Sequence, residues 1–164
     1  MARYLFCVLC IVFLAVGCGR EAQEAAIEKK IEAATGGEAE VDISKGGMKV
    51  TGETEEGEYS VTAGEETEIP EDFPPDVFIY SPSKAVMAMK LPEGCSVSLT
   101  TRADMADVVD AYKREMEARG WSEEGSMNMG NHSMLVYEKD GRAANVNIIP
   151  SDDEVQINLT VSTE

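Results

Sequence analysis

The sequence is poor in basic residues and in histidine. Its 14 lysines and arginines stand against 31 aspartates and glutamates, which gives a formal net charge of −17, and there is one histidine. A surface this acidic repels polyanions and anionic lipid headgroups. We therefore expect no nucleic-acid partner and no membrane contact through charged side chains.

The sequence also lacks an apolar run long enough to span a membrane. Its apolar stretch from Tyr4 to Val16 has thirteen residues and follows Arg3, whereas a spanning helix needs roughly 20 apolar residues. A short apolar run after a basic residue is typical of an export signal that is later removed.

The residues that follow this run resemble a bacterial lipobox. They read Leu14-Ala15-Val16-Gly17-Cys18, with alanine at a position where leucine is commoner. The resemblance implies a lipoprotein signal peptide over residues 1–17 and a diacylated Cys18 as the new N-terminus. The protein would then be anchored to the outer or cytoplasmic membrane of the bacterial cell envelope, facing the periplasm or the exterior. Because each buried methylene contributes about 0.8 kcal/mol, two or three acyl chains anchor a protein without a spanning helix.

Disulfides are not expected in the processed chain. Cys7 and Cys10 form a C-x-x-C inside the signal peptide and leave with it, and Cys18 carries the lipid. Cys95 is then the one free thiol.

Catalytic motifs are missing as well. The sequence has no G-x-S-x-G, H-E-x-x-H, phosphate-binding glycine loop or C-x-x-C-H. The alternative of an envelope enzyme rests on Cys95 as nucleophile and His132 as base. However, Cys95 alternates in phase with the apolar Val97 and Leu99, which is typical of a buried structural thiol. We expect a non-catalytic protein that needs no cofactor besides the covalent lipid.

Composition divides the processed chain into three segments. Residues 18–38 predict a tether with a short helix that ends at Gly36-Gly37. Residues 39–68 predict an acidic, glycine-rich β-meander or spacer, and they lack the alternating aspartates of a calcium loop. Residues 69–164 predict the main domain, which begins with a stiff proline-rich linker.

Alternation of apolar and polar residues predicts the strands of the main domain, most clearly over residues 154–163. A helix is predicted from Met105 to Arg119, with Asp104 as its N-cap and Gly120 as its stop. The expected fold class is α+β: an antiparallel sheet of about five strands with one helix packed on one face, preceded by a short helix and a small polar β-meander.

Half of the chain resembles a recurrent, uncharacterised domain of bacterial lipoproteins. The segments that carry the resemblance are IPEDFPPDVFIYSPSKAV (69–86), LTTRADMADVVDAYKREMEARGW (99–121) and LVYEKDGRAANVNI (135–148). Such domains combine a proline-rich first segment, a VVxxY helix ending in GW and terminal hairpins. The resemblance implies a fold and a location but no activity.

One cluster of side chains suggests metal binding. Met127, Met129, His132 and Met134 lie within eight residues, and thioether and imidazole ligands suit Cu(I) or Ag(I). Met87 and Met89 would add ligands if their strand were adjacent. The alternative is that the methionines fill the core and the histidine is exposed in a turn.

These observations favour a non-catalytic envelope lipoprotein that presents a small binding or scaffold domain at a membrane surface. Its partner would be an unknown envelope protein or a small ligand. The surfaces to consider are the sheet edges and the polar face of the last strand, which carries Gln156, Asn158, Thr160 and Ser162.

Overall fold

The computed structural model describes residues 20–44, 46–65 and 67–162; the predicted signal peptide (1–17) and Cys18 lie outside these residues. The elements in chain order are α1 (Arg20–Thr35), β1 (Ala39–Ile43), β2 (Gly47–Thr54), β3 (Gly57–Gly64), β4 (Lys84–Leu91), β5 (Gly94–Thr101), α2 (Met105–Ala118), β6 (Ser122–Met129), β7 (His132–Lys139), β8 (Arg142–Ser151) and β9 (Glu154–Ser162). Neither helix in the described residues has the length and apolar character needed to cross a bilayer.

In the described part of the chain, nine strands form one antiparallel sheet with the order β1-β2-β3-β4-β5-β9-β8-β7-β6. Each strand pairs with the next one along the chain, except that β5 does not pair with β6. Strand β9 lies between β5 and β8 instead. The turn between β7 and β8 holds Asp140 and Gly141 at φ 53° and 79°. This left-handed pair is what a two-residue hairpin turn requires, and it confirms the turn predicted there.

The predicted fold class, α+β with about five strands, was wrong because the sheet is much larger. The segment expected to be a separate meander or spacer forms β1 to β3 and joins the main sheet, where Val61 pairs with Met89 and Ala63 with Met87. β6 adds a further strand beside β7. The sequence did not show this because pairing between distant strands leaves no local periodicity, whereas each strand alone does.

Helix α2 covers one face of β4 to β9. It extends from Met105 to Ala118 and buries Val108, Ala111, Tyr112 and Met116, so the predicted helix is confirmed. The main core lies between this helix and the sheet; its buried members are Phe73, Val77, Ala88, Val97, Leu99, Val108, Tyr112, Met116, Trp121, Leu135, Tyr137, Ala144, Val146, Ile148, Val155, Ile157, Leu159 and Val161.

The two ends of α2 differ in how well the sequence predicted them. Gly120 adopts φ 82°, and the N–H of Gly120 and that of Trp121 donate to the carbonyls of Glu117 and Met116. The predicted left-handed stop is therefore confirmed. Asp104 occupies the N-cap position but its side chain makes no capping hydrogen bond, so the predicted side-chain cap was wrong.

Helix α1 covers the opposite face at the far end of the sheet. A second, smaller cluster of buried residues contains Ile31 from the helix with Val41 and Val50 from the strands. The Glu28 carboxylate accepts the outward N–H of Val41 at 3.1 Å, and that of Glu24 accepts the N–H of Ile43 at 2.9 Å. These bonds cover the edge strand β1, which would otherwise expose unpaired backbone groups.

The proline-rich segment before β4 packs against the main domain and is not a free linker. Phe73 and Val77 are buried in the main core, and the indole N–H of Trp121 donates to the Asp76 carbonyl at 2.9 Å. The segment thus closes one end of the core beside the C-terminus of α2.

Candidate functional site

The face of β5, β9, β8 and β7 that lies opposite α2 has no helix over it among the described residues. Strand register aligns its side chains in rows, and we call this surface the open face. Its residues are Ser96, Thr160, Asn145 and Val136 in the first row, Ser98, Asn158, Asn147 and Met134 in the second, and Thr100, Gln156 and Ile149 in the third.

The three rows of the open face contain no charged side chain, although Glu138 on β7 and Glu154 on β9 lie on the same side of the sheet just beyond these rows. This is unusual in a chain in which 27% of residues are charged. All of its members are half-buried except Thr160, which is exposed. The alternation predicted for the last strand placed Gln156, Asn158 and Thr160 on one face, and the register confirms that they lie together.

Hydrogen bonds between strands orient several of these side chains. The Ser98 hydroxyl donates to Asn158 Oδ1 at 2.8 Å, and Gln156 Nε2 donates to the same oxygen at 3.2 Å. Asn145 and Asn147 are half-buried beside them, and no hydrogen bond of their side chains occurs within the described residues. The surface therefore combines polar groups that neighbouring side chains orient with others that can bond to a ligand.

The four residues of the predicted metal site come together at the β6–β7 hairpin. Met127 pairs directly with Met134, and Met129 pairs with His132, so all four share the side of the sheet that carries the open face. Met87 and Met89 do not belong to this cluster. They lie on β4, which β5, β9 and β8 separate from β7, so the suggestion that they add ligands was wrong.

The structure does not bring Cys95 and His132 together. Cys95 lies opposite Val161 on the face that α2 covers, whereas His132 lies beside Met129 on the other face. Burial raises the pKa of the Cys95 thiol, which disfavours the thiolate that a nucleophile requires. The nucleophile and base of the alternative enzyme are therefore on opposite sides of the sheet.

Two open grooves lie at the margins of the sheet, and the first of them borders the open face at Thr100. One, of about 910 Å³, includes Lys84, Thr101, Arg102 and Glu154 at the ends of their strands. The other, of about 540 Å³, includes Glu38, Glu40, Glu53, Glu58 and Lys90. In the described residues, no three histidine, cysteine or carboxylate side chains are grouped to hold a metal ion.

An ion-pair cluster around Asp76 was not predicted from the sequence. Arg142 and Lys139 approach the Asp76 carboxylate at 2.6 and 2.8 Å, and Arg142 also lies 5.1 Å from the centroid of the Trp121 ring. The hydrogen bond from Arg142, helped by that from Lys139, lowers the pKa of Asp76 to about 2 against the opposing effect of burial. These groups satisfy one another, so the cluster holds the chain together and offers no reactive group.

The fold and the open face together define a class: an antiparallel β protein whose sheet packs on a helix and whose opposite face, beside β5 and β7 to β9, carries no helix within the described residues. Residues 84–156, from β4 to the start of β9, match the START domain-like family. The match covers slightly less than half of the chain. No curated protein and no solved structure matches the chain.

The family match agrees with the observed fold and not with the predicted one. A START-like fold is a helix-grip β fold, and α2 lies against the sheet within the matched residues. The match also points to a ligand-binding scaffold, which in this coarse respect agrees with the predicted non-catalytic binding domain.

Proposed function

We propose that this chain is a non-catalytic binding protein of the bacterial cell envelope, tethered by lipid on Cys18, and that the open face is its ligand surface. The observation that carries the proposal is the group of eleven uncharged side chains that fills the three central rows of the open face in a chain with a net charge of −17. Charged side chains on this side of the sheet, such as Glu138 and Glu154, lie beyond the three rows and not within them.

The chemistry of the open face favours an uncharged ligand with hydroxyl or amide groups. Ser, Thr, Asn and Gln side chains supply both donors and acceptors, and Val136 and Ile149 add apolar contact. An ionic ligand would lose hydration there without gaining an opposite charge, which costs free energy. A neutral polar ligand avoids that cost because its groups exchange water for side-chain partners.

The position of α1 supports the tether. Glu24 lies beside Ile43 and Glu28 beside Val41, so α1 runs antiparallel to β1. Helix α1 therefore begins near the turn between β1 and β2. Cys18 precedes α1 by two residues. Lipid on Cys18 would turn this end of the sheet towards the membrane and leave the open face accessible from the side.

The ligand surface is tested by site-specific photo-crosslinking in the native bacterial envelope. A photoreactive residue replaces Thr160, which is exposed on the open face, or Lys49, which is exposed on the opposite face of β2. We expect a discrete adduct from position 160 and none from position 49, with the adduct mass giving the class of ligand. No adduct from position 160, or equal adducts from both positions, would contradict the proposal.

A further inference from the structure

The tip of the β6–β7 hairpin gathers the three thioethers and the imidazole of the sequence cluster on one face. We propose that Met127, Met129, His132 and Met134 form a binding site for a soft monovalent cation, Cu(I) or Ag(I). The proposal goes beyond the proposed function, since it requires neither the lipid anchor nor a ligand on the open face.

Strand pairing sets the dimensions of the site. Met127 lies opposite Met134, and Met129 lies opposite His132. Directly paired residues have Cβ atoms about 4.5–5.5 Å apart, and residues two positions apart on a strand are separated by about 6.5–7 Å. A methionine side chain has three rotatable bonds, so the three sulfur atoms and the imidazole can converge on an ion between the pairs.

Exposure argues against a role of these methionines in core packing. Met127 and Met129 are 49% and 59% exposed. Among the described residues, they are the large hydrophobic residues that are classed as exposed. Neither belongs to either core cluster. The alternative interpretation, that they fill the core, is therefore wrong for these two residues.

The histidine supplies a second observation. Its Nε2 atom is shielded from solvent and has no hydrogen-bond partner in the described part of the structure. A shielded polar nitrogen without a partner is costly, and a metal ion would satisfy it, because neutral imidazole is a common metal ligand.

Ligand type and charge determine which ion suits the site. Thioethers and imidazole are soft, neutral donors and select Cu(I) or Ag(I), whereas calcium and magnesium prefer carboxylate oxygens. The β8–β9 turn, which contains Asp152 and Asp153, lies at the same end of the sheet as the hairpin tip. With the net charge of −17, these carboxylates attract cations without displacing the sulfur ligands.

The test is a calorimetric titration with Ag(I) of the full chain in detergent, with its four cysteines replaced by alanine so that no thiol competes. We expect one saturable site. Mutation of the residues that only support metal ligands weakens metal binding by about 10- to 100-fold. Removal of two ligands by Met127→Leu with Met129→Leu should therefore weaken Ag(I) binding at least about tenfold. The matched control is Met87→Leu with Met89→Leu on β4, which should bind as the parent does.

The single histidine gives an independent readout by NMR. Its imidazole signals should shift with added Ag(I) and stop shifting at one equivalent. Absence of saturable binding, equal binding by the Met127→Leu/Met129→Leu variant, or an unshifted imidazole would each overturn the proposed site. Circular dichroism is the check that the variants are folded. Because Met127 and Met129 are exposed, we expect leucine at these positions to leave the core intact.

Discussion

At the residue scale, the Asp76 cluster joins three parts of the chain that are distant in sequence. Its partners are Lys139 and Arg142, on either side of the β7–β8 turn, and Lys139 also donates to the Arg119 carbonyl at the end of α2. The Asp76 and Arg142 side chains are only 26% and 23% exposed, so water screens their interaction weakly. This carboxylate therefore stabilises the docking of the proline-rich segment.

Asp76→Asn tests that role. Hydrogen bonds to charged, partly buried groups contribute about 1.5–3 kcal/mol, and because Asp76 is not fully buried we expect the free energy of unfolding at pH 7 to fall by about 1–2 kcal/mol. The pKa of Asp76 is lowered to about 2, so its contribution is present above about pH 4 and disappears as the pH falls through about 2. Urea unfolding followed by Trp121 fluorescence measures the difference, which should shrink with acidification.

Asp72→Asn is the matched control. Asp72 pairs with Lys90, and both side chains are about half exposed, at 53% and 46%. Exposed pairs contribute little, so this variant should unfold nearly as the parent does. Equal losses from both substitutions, or a loss from Asp76→Asn that does not change with pH, would contradict the proposed role of Asp76.

Residue-scale predictions from the sequence succeeded where the physics is local. Glycines at the end of α2 and in the β7–β8 turn adopt the left-handed conformation expected of them. Asp76 could not be identified in this way, because its partners lie more than 60 residues away. Nothing in the local pattern distinguishes it from the many other carboxylates of this acidic chain.

At the element scale, α1 serves as a cover for the sheet edge. Its contact with the sheet contains three buried residues, Ile31, Val41 and Val50, and a rim of partly buried hydrophobic side chains that includes Ile27. The carboxylates of Glu24 and Glu28 bind the free backbone donors of β1. These two hydrogen bonds add to the apolar packing that holds α1 against the sheet, and they act directly on the backbone of β1.

The double variant Glu24→Ala/Glu28→Ala should loosen this element. We expect the amide hydrogens of Val41 and Ile43 to exchange at least several times faster, while those in β8 and β9 remain unchanged, because regions with few buried contacts open locally. Hydrogen exchange followed by NMR measures this. Glu32→Ala is the control: Glu32 is exposed on the same helix and its carboxylate binds no described group, so an equal effect there would show that the carboxylates of Glu24 and Glu28 are not responsible.

The strands and α2 could be predicted because each has its own periodicity of apolar residues. The pairing of β3 with β4 could not. Its four paired positions link Ser60–Ala63 to Met87–Lys90 across the proline-rich segment, and sequence alternation alone does not show which strands are neighbours. This is why the first three strands were interpreted as a small meander or spacer that precedes the main domain.

At the scale of the whole molecule, the two helices of the described residues lie on opposite faces of one sheet. Helix α2 covers β4 to β9 on one face, and α1 covers β1 to β3 on the other. The open face remains because α1 is confined to the far end of the sheet. The strand order that creates the open face also places the β6–β7 hairpin, which carries the three methionines and the histidine, at one edge of the sheet beside β8.

The candidate sites were accessible to sequence analysis to different degrees. The proposed metal ligands Met127, Met129, His132 and Met134 lie within eight residues of the sequence and could be recognised directly. Of the open face, the last strand showed Gln156, Asn158 and Thr160, but Ser96, Ser98 and Asn147 joined them only through the strand order. A surface built from four strands is a property of the whole sheet, so single-strand patterns reveal only part of it.

The central claim is that this binding protein is tethered through Cys18, and the most direct test is the intact mass of the protein recovered from the native bacterial envelope. We expect a chain that begins at Cys18, carries acyl groups and enters the detergent phase. In the Cys18→Ala variant, the acyl mass should be absent and the signal peptide retained. A chain that is not acylated and remains in the aqueous phase would contradict the account.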